Sequence, residues 1–244
     1  MKNSSKAAKD TALELLSFTQ EKRKGQRFSF LFEPRKAAWG INMEENNNCK
    51  NMEISNKKKI YTKESCESDK SLEERFEFRN IFPGEADQAV AIEKICFPPN
   101  EACSEKMMRE RVAGLADLFL VAVDRGTGKI AGFLNGLSTD EPAFRDEFFV
   151  DASLYDPDGK NIMLLGLDVL PEYRMQGLAR EIVSRYICRE AERGRKMLLL
   201  TCLKSKIKMY EKMGFYNNGI ASSSWGGEEW YEMGYRIVDC EKNT

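Results

Sequence analysis

The run LDVLPEYRMQGLAREI, residues 167–182, constrains the fold more than any other part of the chain. It leaves the most apolar stretch of the sequence, NIMLLGLDVL, and enters a helix predicted over residues 177–193. The first N–H groups of a helix lack intrahelical acceptors, and the helix dipole is positive at that end. Gly177 lets the backbone approach a ligand, and Ala179 leaves the space unfilled. The run therefore predicts a strand, an anion-binding turn suited to a pyrophosphate, and a helix, with Arg174 as an added positive charge.

The elements on either side of this run give an α/β domain over residues 76–244. Apolar runs and helical spacings predict the order β-α-α-β-β-β-α-β-α-β-β, a mixed sandwich without an internal repeat. In the first helix, GEADQAVAIEKICF, the spacing places Ala89, Ile92, Ile95 and Cys96 on the inward face.

Residues 1–75 differ from this domain, being polar and rich in lysine and asparagine. They predict a disordered extension, because such a segment buries too little apolar surface to offset the entropy of ordering. A short amphipathic helix over residues 6–22 and a strand or sticky element at Phe28–Phe32 are the exceptions. The alternative is a docking or regulatory arm.

Composition excludes several classes of protein. A net charge of −1 gives no reason to expect a nucleic-acid or membrane partner, and no apolar run is long enough to predict a membrane-spanning helix. Seven cysteines without paired short spacings favour free thiols in a reducing compartment, and no apolar leader is present, so we expect a cytoplasmic protein.

The chain contains no histidine. This removes the usual zinc sites, the Ser-His and Cys-His nucleophile pairs and the commonest general base, so no metal is expected. Any proton transfer must use a carboxylate, tyrosine, cysteine, lysine or water.

Two motifs, which follow each other along the chain in the same order as in a known family, resemble that family. The pattern V-x-P-x-Y-R-x-x-G-x-A resembles the acetyl-CoA loop of the GNAT acyltransferase superfamily, and KMYEKMGF, residues 208–215, resembles the family's YxxxGF segment. The loop residues that match are Val169, Pro171, Tyr173, Arg174, Gly177 and Ala179. The resemblance spans about residues 76–238, and CFPPNEA, NGLSTDEP and SSSWGGEEWYEM bring the chain closest to the arylalkylamine N-acetyltransferase-like branch.

The resemblance implies a GNAT-type fold, a mixed and mostly antiparallel sheet flanked by helices, with a splayed parallel strand pair at the CoA site. It implies acetyl-CoA as co-substrate. Leu167, Asp168 and Val169 would then contact pantetheine. The pyrophosphate would be surrounded by Arg174, Met175, Gln176, Gly177, Leu178, Ala179 and Arg180. The oligomeric state is left open, with a homodimer among the alternatives.

The same resemblance assigns the general acid and leaves the base open. Tyr210 takes the position of the tyrosine that lies beside the thioester sulfur, although packing in the core would explain it too. The vertebrate enzymes of this branch have histidines where this chain has Met163 and Leu165, and bacterial relatives often have one where Trp225 stands. The remaining candidates for a base acting through water are Asp140, Glu141 and Asp168. We reject Cys202 as a nucleophile, since no histidine could activate it.

The predicted function is acetyl transfer from acetyl-CoA to a primary amine by direct attack in a ternary complex. A small amine is favoured, with an arylalkyl amine as one option. An acceptor pocket for an aromatic or cationic amine would be lined by Phe144, Phe148, Phe149, Trp225 and Trp230, although the phenylalanines would equally fit a core helix. The alternatives are acetylation of protein lysines or N-termini, which predicts a long open groove, and a non-catalytic CoA-binding regulatory module.

Overall fold

The computed structural model describes residues 70–237 as thirteen helices and strands joined by turns. The helices are α1 (Lys70–Arg75), α2 (Ala86–Cys96), α3 (Glu105–Gly114), α4 (Glu147–Val150), α5 (Leu178–Glu192) and α6 (Ile207–Lys212). The strands are β1 (Phe76–Asn80), β2 (Phe119–Asp124), β3 (Lys129–Thr139), β4 (Asn161–Val169), β5 (Met197–Leu203), β6 (Tyr216–Ile220) and β7 (Trp230–Arg236). The predicted order is confirmed, with two short helices added.

All seven strands form one sheet in the order β1-β2-β3-β4-β5-β7-β6. Every pairing is antiparallel except that of β4 with β5. This parallel pairing covers only Asn161–Met163 against Met197–Leu199, so the two strands separate beyond Met163. On the other side of β4 the register to β3 shifts between Asn135 and Gly136, where a bulge bends the strand. The predicted mixed sheet with one splayed parallel pair is confirmed.

The helices cover both faces of the sheet. Helices α2 and α3 bury residues such as Ile92 and Val112 against the face formed by Phe119 and Phe133. Helix α5 buries residues such as Ile182 and Tyr186 on the opposite face, where α6 also packs. Both faces of β4 are thus covered, which places its last residues between the two helical layers.

The first folded element begins before the predicted domain boundary. Residues 70–75, which the sequence assigns to the extension, form helix α1, and its Leu72 is buried in the core. The predicted helix over residues 6–22 and the element at Phe28–Phe32 lie outside the described residues. Within residues 70–237 no helix has the length and apolar character needed to cross a membrane.

Two sequence expectations are corrected. Cys96, Cys103 and Cys202 carry free thiols, but Cys188 is disulfide-bonded, so the expectation of free thiols is wrong for that residue. In α2, Ile95 is 57% exposed, while Glu93 is only 5% exposed and takes the inward position beside Ile92. The inward stripe of this helix therefore includes a carboxylate at the place where the sequence pattern predicts isoleucine.

Candidate active site

The turn from β4 into α5 has the backbone of an anion-binding loop. Gly177 has φ 87°, a left-handed conformation that suits glycine, and forms the N-cap of α5. Met175 is the one non-glycine residue with positive φ in the described chain, at 59°, and its side chain is fully exposed. The N–H groups that open α5 have no intrahelical acceptors, so they remain free for a phosphate.

Side chains fix this loop in place. Arg174 donates from Nε to the carbonyl of Val169 at 2.7 Å, which ties the loop to the end of β4. Gln176 accepts from Nη1 of Arg75 at 2.7 Å and donates to the carbonyl of Glu172 at 2.7 Å. Arg174 is therefore partly engaged in holding the loop, and Arg75 of α1 adds a second positive charge that the sequence analysis missed.

The gap between β4 and β5 opens directly beside this loop. From Leu164 onward β4 has no pairing to β5, while its pairing to β3 continues to Val169. Its edge towards β5 is therefore a free strand edge, to which an extended ligand can hydrogen-bond as another strand would. Leu165, Gly166 and Leu167 are partly exposed there. Of the three residues predicted to contact pantetheine, Leu167 is the one with an accessible side chain, whereas Asp168 and Val169 are buried.

Tyr210 lies in the layer of helices α5 and α6. Its ring meets that of Phe215 edge-on at 5.6 Å between centroids, and it packs against the core cluster of Leu200 and Cys202. Burial of the hydroxyl raises the pKa of Tyr210, with added contributions from the charges of Cys202 and Asp168. The phenol therefore stays protonated through the neutral range and feels the charge of Asp168.

Asp168 is fully buried, at 0% exposure, on the side of the sheet that α2 covers. Burial raises its pKa well above the usual range, and the negative charge of Glu93 raises it further. Arg111, at 2% exposure, and Asn135, at 1%, complete a buried polar group around it. Of these four residues, only Asp168 was a candidate from the sequence. Glu93 lies four residues after Ala89, on the apolar stripe of α2. This spacing was the sequence signal that could have revealed it.

Cys202 has the environment of a structural thiol. It is 4% exposed, and burial raises its pKa to about 11. A thiol with such a pKa is a poor nucleophile near neutral pH. The geometry agrees with rejecting a covalent acyl-cysteine route.

The other two carboxylates considered as bases lie at the far end of β4. Asp140 accepts from the backbone N–H of Lys160 at 2.8 Å, and Glu141 is an exposed ion-pair partner of Arg145 at 3.4 Å. Both follow Thr139, which pairs with Asn161, so about 23 Å of strand separates them from Asp168. The structure does not bring Glu141 together with Tyr210 and Asp168.

Three segments meet over the face of the sheet that carries Asp168. The indole of Trp225 donates to the carbonyl of Glu101 at 2.8 Å, and Asn100 donates to the carbonyl of Gly226 at 2.9 Å. The ring of Trp225 also packs on Phe149 of α4, with 4.9 Å between centroids. The segment between α2 and α3, helix α4 and the turn at 225–227 are thereby joined through aromatic and polar contacts.

Phe144 and Phe148 belong to the core instead of a pocket wall. They are 3% and 1% exposed, and their rings lie 5.8 Å apart at centroids. Trp230 is buried too, and its indole donates to the carbonyl of Trp225 at 2.7 Å. Of the five aromatic residues predicted to line an acceptor pocket, only Phe149 and Trp225 are partly exposed.

Solved structures with the same fold come from several proteins. The loading GNATL domain of CurA from Lyngbya majuscula aligns with a TM-score of 0.59 at 15% identity, over 66% of this chain and 98% of that one. The GphF GNAT-like decarboxylase in complex with isobutyryl-CoA gives 0.56 at 18% identity, over 66% and 100%. Ard1 from Thermoplasma volcanium gives 0.53 at 15%, over 67% and 99%. At these identities the likeness establishes the fold.

A search of curated proteins found no match to the sequence. The sequence profile of the acetyltransferase (GNAT) family matches residues 86–215, which is more than half of the chain and includes the loop, the separated strands and Tyr210. The chain therefore belongs to the GNAT family of acetyltransferases, whose acyl donor is acetyl-CoA.

Proposed function

We propose that this protein transfers the acetyl group of acetyl-CoA to the primary amine of a small molecule, with an arylalkyl amine as the favoured acceptor. The observation that supports a small acceptor is the contact of Trp225 with Phe149 and Glu101, which joins three segments over the face that carries Asp168. A protein acceptor needs a long open groove across that face. Joined segments favour a compact site that one small amine can fill.

Backbone and side-chain groups of this chain can bind acetyl-CoA. The N–H groups that open α5 and the positive charges of Arg75 and Arg174 favour a pyrophosphate. The unpaired edge of β4 beyond Met163 offers backbone groups to the pantetheine arm. Holding both substrates in one complex replaces a bimolecular encounter and supplies much of the rate.

Proton transfer is assigned to Asp168 and Tyr210. The acceptor ammonium loses a proton, through water, to Asp168 before or during attack on the thioester carbon. As the C–S bond breaks, Tyr210 donates its phenolic proton to the leaving thiolate. A buried phenol with a raised pKa carries that proton throughout the neutral range, which is the state a general acid requires.

The chemistry at the joined segments suits a cationic, aromatic acceptor. The rings of Phe149 and Trp225 provide a partly exposed aromatic surface. The backbone carbonyl of Glu101 accepts from the indole of Trp225, and burial together with the charge of Glu228 raises the pKa of the Glu101 carboxyl. An ammonium group bound between Glu101 and Glu228 would relieve their repulsion, and an aromatic ring would stack on Trp225.

The test is mass spectrometry of a pooled amine panel incubated with acetyl-CoA and the full chain. The pool contains phenylethylamines, tryptamine, polyamines, amino acids and a lysine peptide, and mass detection avoids thiol dyes, which would react with the chain's own cysteines. We expect one arylalkyl amine to gain an acetyl group. Acetylation of the lysine peptide alone would support a protein acceptor. CoA binding without any product would support a regulatory module.

A further inference from the structure

Four polar side chains from four different elements occupy core positions at one point beneath β4. They are Glu93 of α2 at 5% exposure, Arg111 of α3 at 2%, Asn135 of β3 at 1% and Asp168 of β4 at 0%. Helix α2 buries Glu93 while leaving the neighbouring Ile95 57% exposed. Burying a carboxylate in place of an isoleucine costs folding free energy, so packing alone does not account for this arrangement.

Three of the four carboxyl oxygens in this cluster accept no hydrogen bond. Oε2 of Glu93 and both carboxylate oxygens of Asp168 are buried without a hydrogen-bond partner. The other oxygen of Glu93 accepts from the backbone N–H of Cys103 at 2.7 Å. Arg111 donates to Oδ1 of Asn135 at 3.2 Å and to the carbonyl of Phe149 at 2.9 Å. Within residues 70–237 no ion pair joins Arg111 to either carboxylate.

The unpartnered atoms converge beside Gly166. A Cβ placed on Gly166 would lie 3.1 Å from Nδ2 of Asn135, 3.2 Å from Oδ2 of Asp168 and 3.8 Å from Oε2 of Glu93. In this dry interior the charge of Glu93 raises the pKa of Asp168, which favours a state in which only one of the two carboxyls is ionised. A proton held by one of them supplies the missing donor. Gly166 itself is partly exposed where β4 separates from β5, so the cluster lies next to the crevice.

Burial raises the pKa of Glu93 as well, partly offset by the N–H of Cys103 and by the charge of Arg111. The positive charges of Arg111 and Arg174 also favour an ionised Asp168, while the thiol of Cys96 lies within hydrogen-bonding reach. The groups that face the two carboxyls from the surrounding elements are thus Cys96, Cys103, Arg111, Asn135, Arg174 and Tyr210. Each of the two arginines donates to a backbone carbonyl as well, so neither is a dedicated counter-ion.

We propose that Glu93 and Asp168 form a buried carboxyl pair that holds one shared proton in the resting protein, and that Glu93 is a positioning residue for proton transfer to Asp168. The inference rests on the proposed function for its catalytic part. In the reaction, the singly protonated pair takes one proton from the ammonium through water and becomes doubly protonated. Tyr210 gives one proton to the CoA thiolate. The pair then transfers its extra proton to Tyr210 through water, which restores both groups, and the proton of the amide-forming nitrogen leaves to solvent.

The first experiment compares the pH profile of kcat/KM for the full chain with those of Glu93→Gln, Glu93→Asp and Asp168→Asn. Asp87→Asn, an exposed carboxylate on the same helix, is the matched control. We expect Glu93→Gln to move the acidic limb up by about one pH unit, because an amide N–H donates a weaker hydrogen bond to the charge of Asp168 than the acid O–H that it replaces. Glu93→Asp should restore the limb, and Asp168→Asn should lower kcat about 10²–10⁴-fold. Superimposable profiles for Glu93→Gln and the unmodified protein would overturn the inference.

The second experiment does not depend on activity. An unfolded carboxyl group loses its proton near pH 4, about its ordinary pKa, whereas the folded pair keeps one proton to higher pH. Folding therefore binds extra protons above that pH, and the free energy of unfolding must fall as the pH rises towards the folded pKa. Glu93→Gln should flatten this slope at its upper end, because Asp168 stays buried with a raised pKa but loses the contribution of the Glu93 charge. Asp87→Asn should leave the slope unchanged. An unaltered slope in Glu93→Gln would refute the shared proton. A flattened slope in a protein that acetylates no amine would leave the pair standing and overturn the proposed function.

Discussion

At the scale of single residues, the proposed general acid is the phenol of Tyr210. Tyr210 packs edge-on against Phe215, and burial raises its pKa, so it holds a proton in the neutral range. We predict that Tyr210→Phe lowers kcat by about 10²–10⁴-fold, since the thiolate must then leave without a general acid. The affinity for CoA, measured by calorimetry, should change little, because the phenylalanine keeps the packing. A variant with unchanged kcat would make Tyr210 a structural residue.

For Cys202, also a single residue, we expect that substitution leaves kcat unchanged. Its thiol is buried, and its pKa is raised to about 11, so it acts as a small apolar group. We predict that Cys202→Ala keeps kcat near that of the unmodified protein and lowers the free energy of unfolding by about 1 kcal/mol. Steady-state rates and urea unfolding measure the two quantities. A loss of turnover matching that of Tyr210→Phe, in a folded variant, would instead support a covalent route.

At the scale of elements, we expect the turn between β4 and α5 to determine CoA affinity. Gly177 has φ 87°, and Gly194, beyond the end of α5, has φ 73° with open space around it. Alanine at either position should cost about 1–2 kcal/mol of stability, because both positions are left-handed. Only the Gly177 variants should weaken CoA binding. Gly177→Glu should abolish it by placing a like charge against the phosphates, as calorimetry with CoA would show. Loss of CoA binding in Gly194→Ala would mean that the Gly177 variants lose CoA binding through reduced stability of the fold and not through the loop.

At the scale of the whole molecule, donor binding should stabilise the fold. The site joins α1, through Arg75, with the ends of β4 and α5, so a bound ligand holds several elements together. At a CoA concentration one hundred times Kd the gain is about 2.7 kcal/mol, which raises Tm by roughly 5–10 °C for a chain of this size. Differential scanning fluorimetry of the full chain measures the shift, with Gly177→Glu as the variant that should show none. A shift of equal size in that variant would place CoA elsewhere.

The loop and the element order were readable from the sequence because each depends on local chemistry, while the role of Tyr210 as general acid stays a prediction. Gly177 fits the N-cap that its φ requires, the helical spacing of α5 gives its bounds to within one residue, and Tyr210 follows from its place in a motif. The inward face of α2 was misjudged for a physical reason. A prediction from hydrophobic spacing assumes that the buried side chains are apolar. In α2, however, Glu93 takes the inward position while Ile95 lies at the surface.

Sequence alone determined that this chain makes a strand, an anion-binding turn and a helix, because proline, glycine and apolar spacing act within a few residues. Tertiary structure decided which carboxylates share one environment. Glu93, Arg111, Asn135 and Asp168 lie on four elements that come together only when α2 and α3 pack on the sheet. It also separated Glu141 from Asp168, which the sequence weighed as equal candidates, since the two lie at opposite ends of β4. Electrostatic environments arise from contacts between distant segments, so only the folded chain could show which carboxylates share one buried environment.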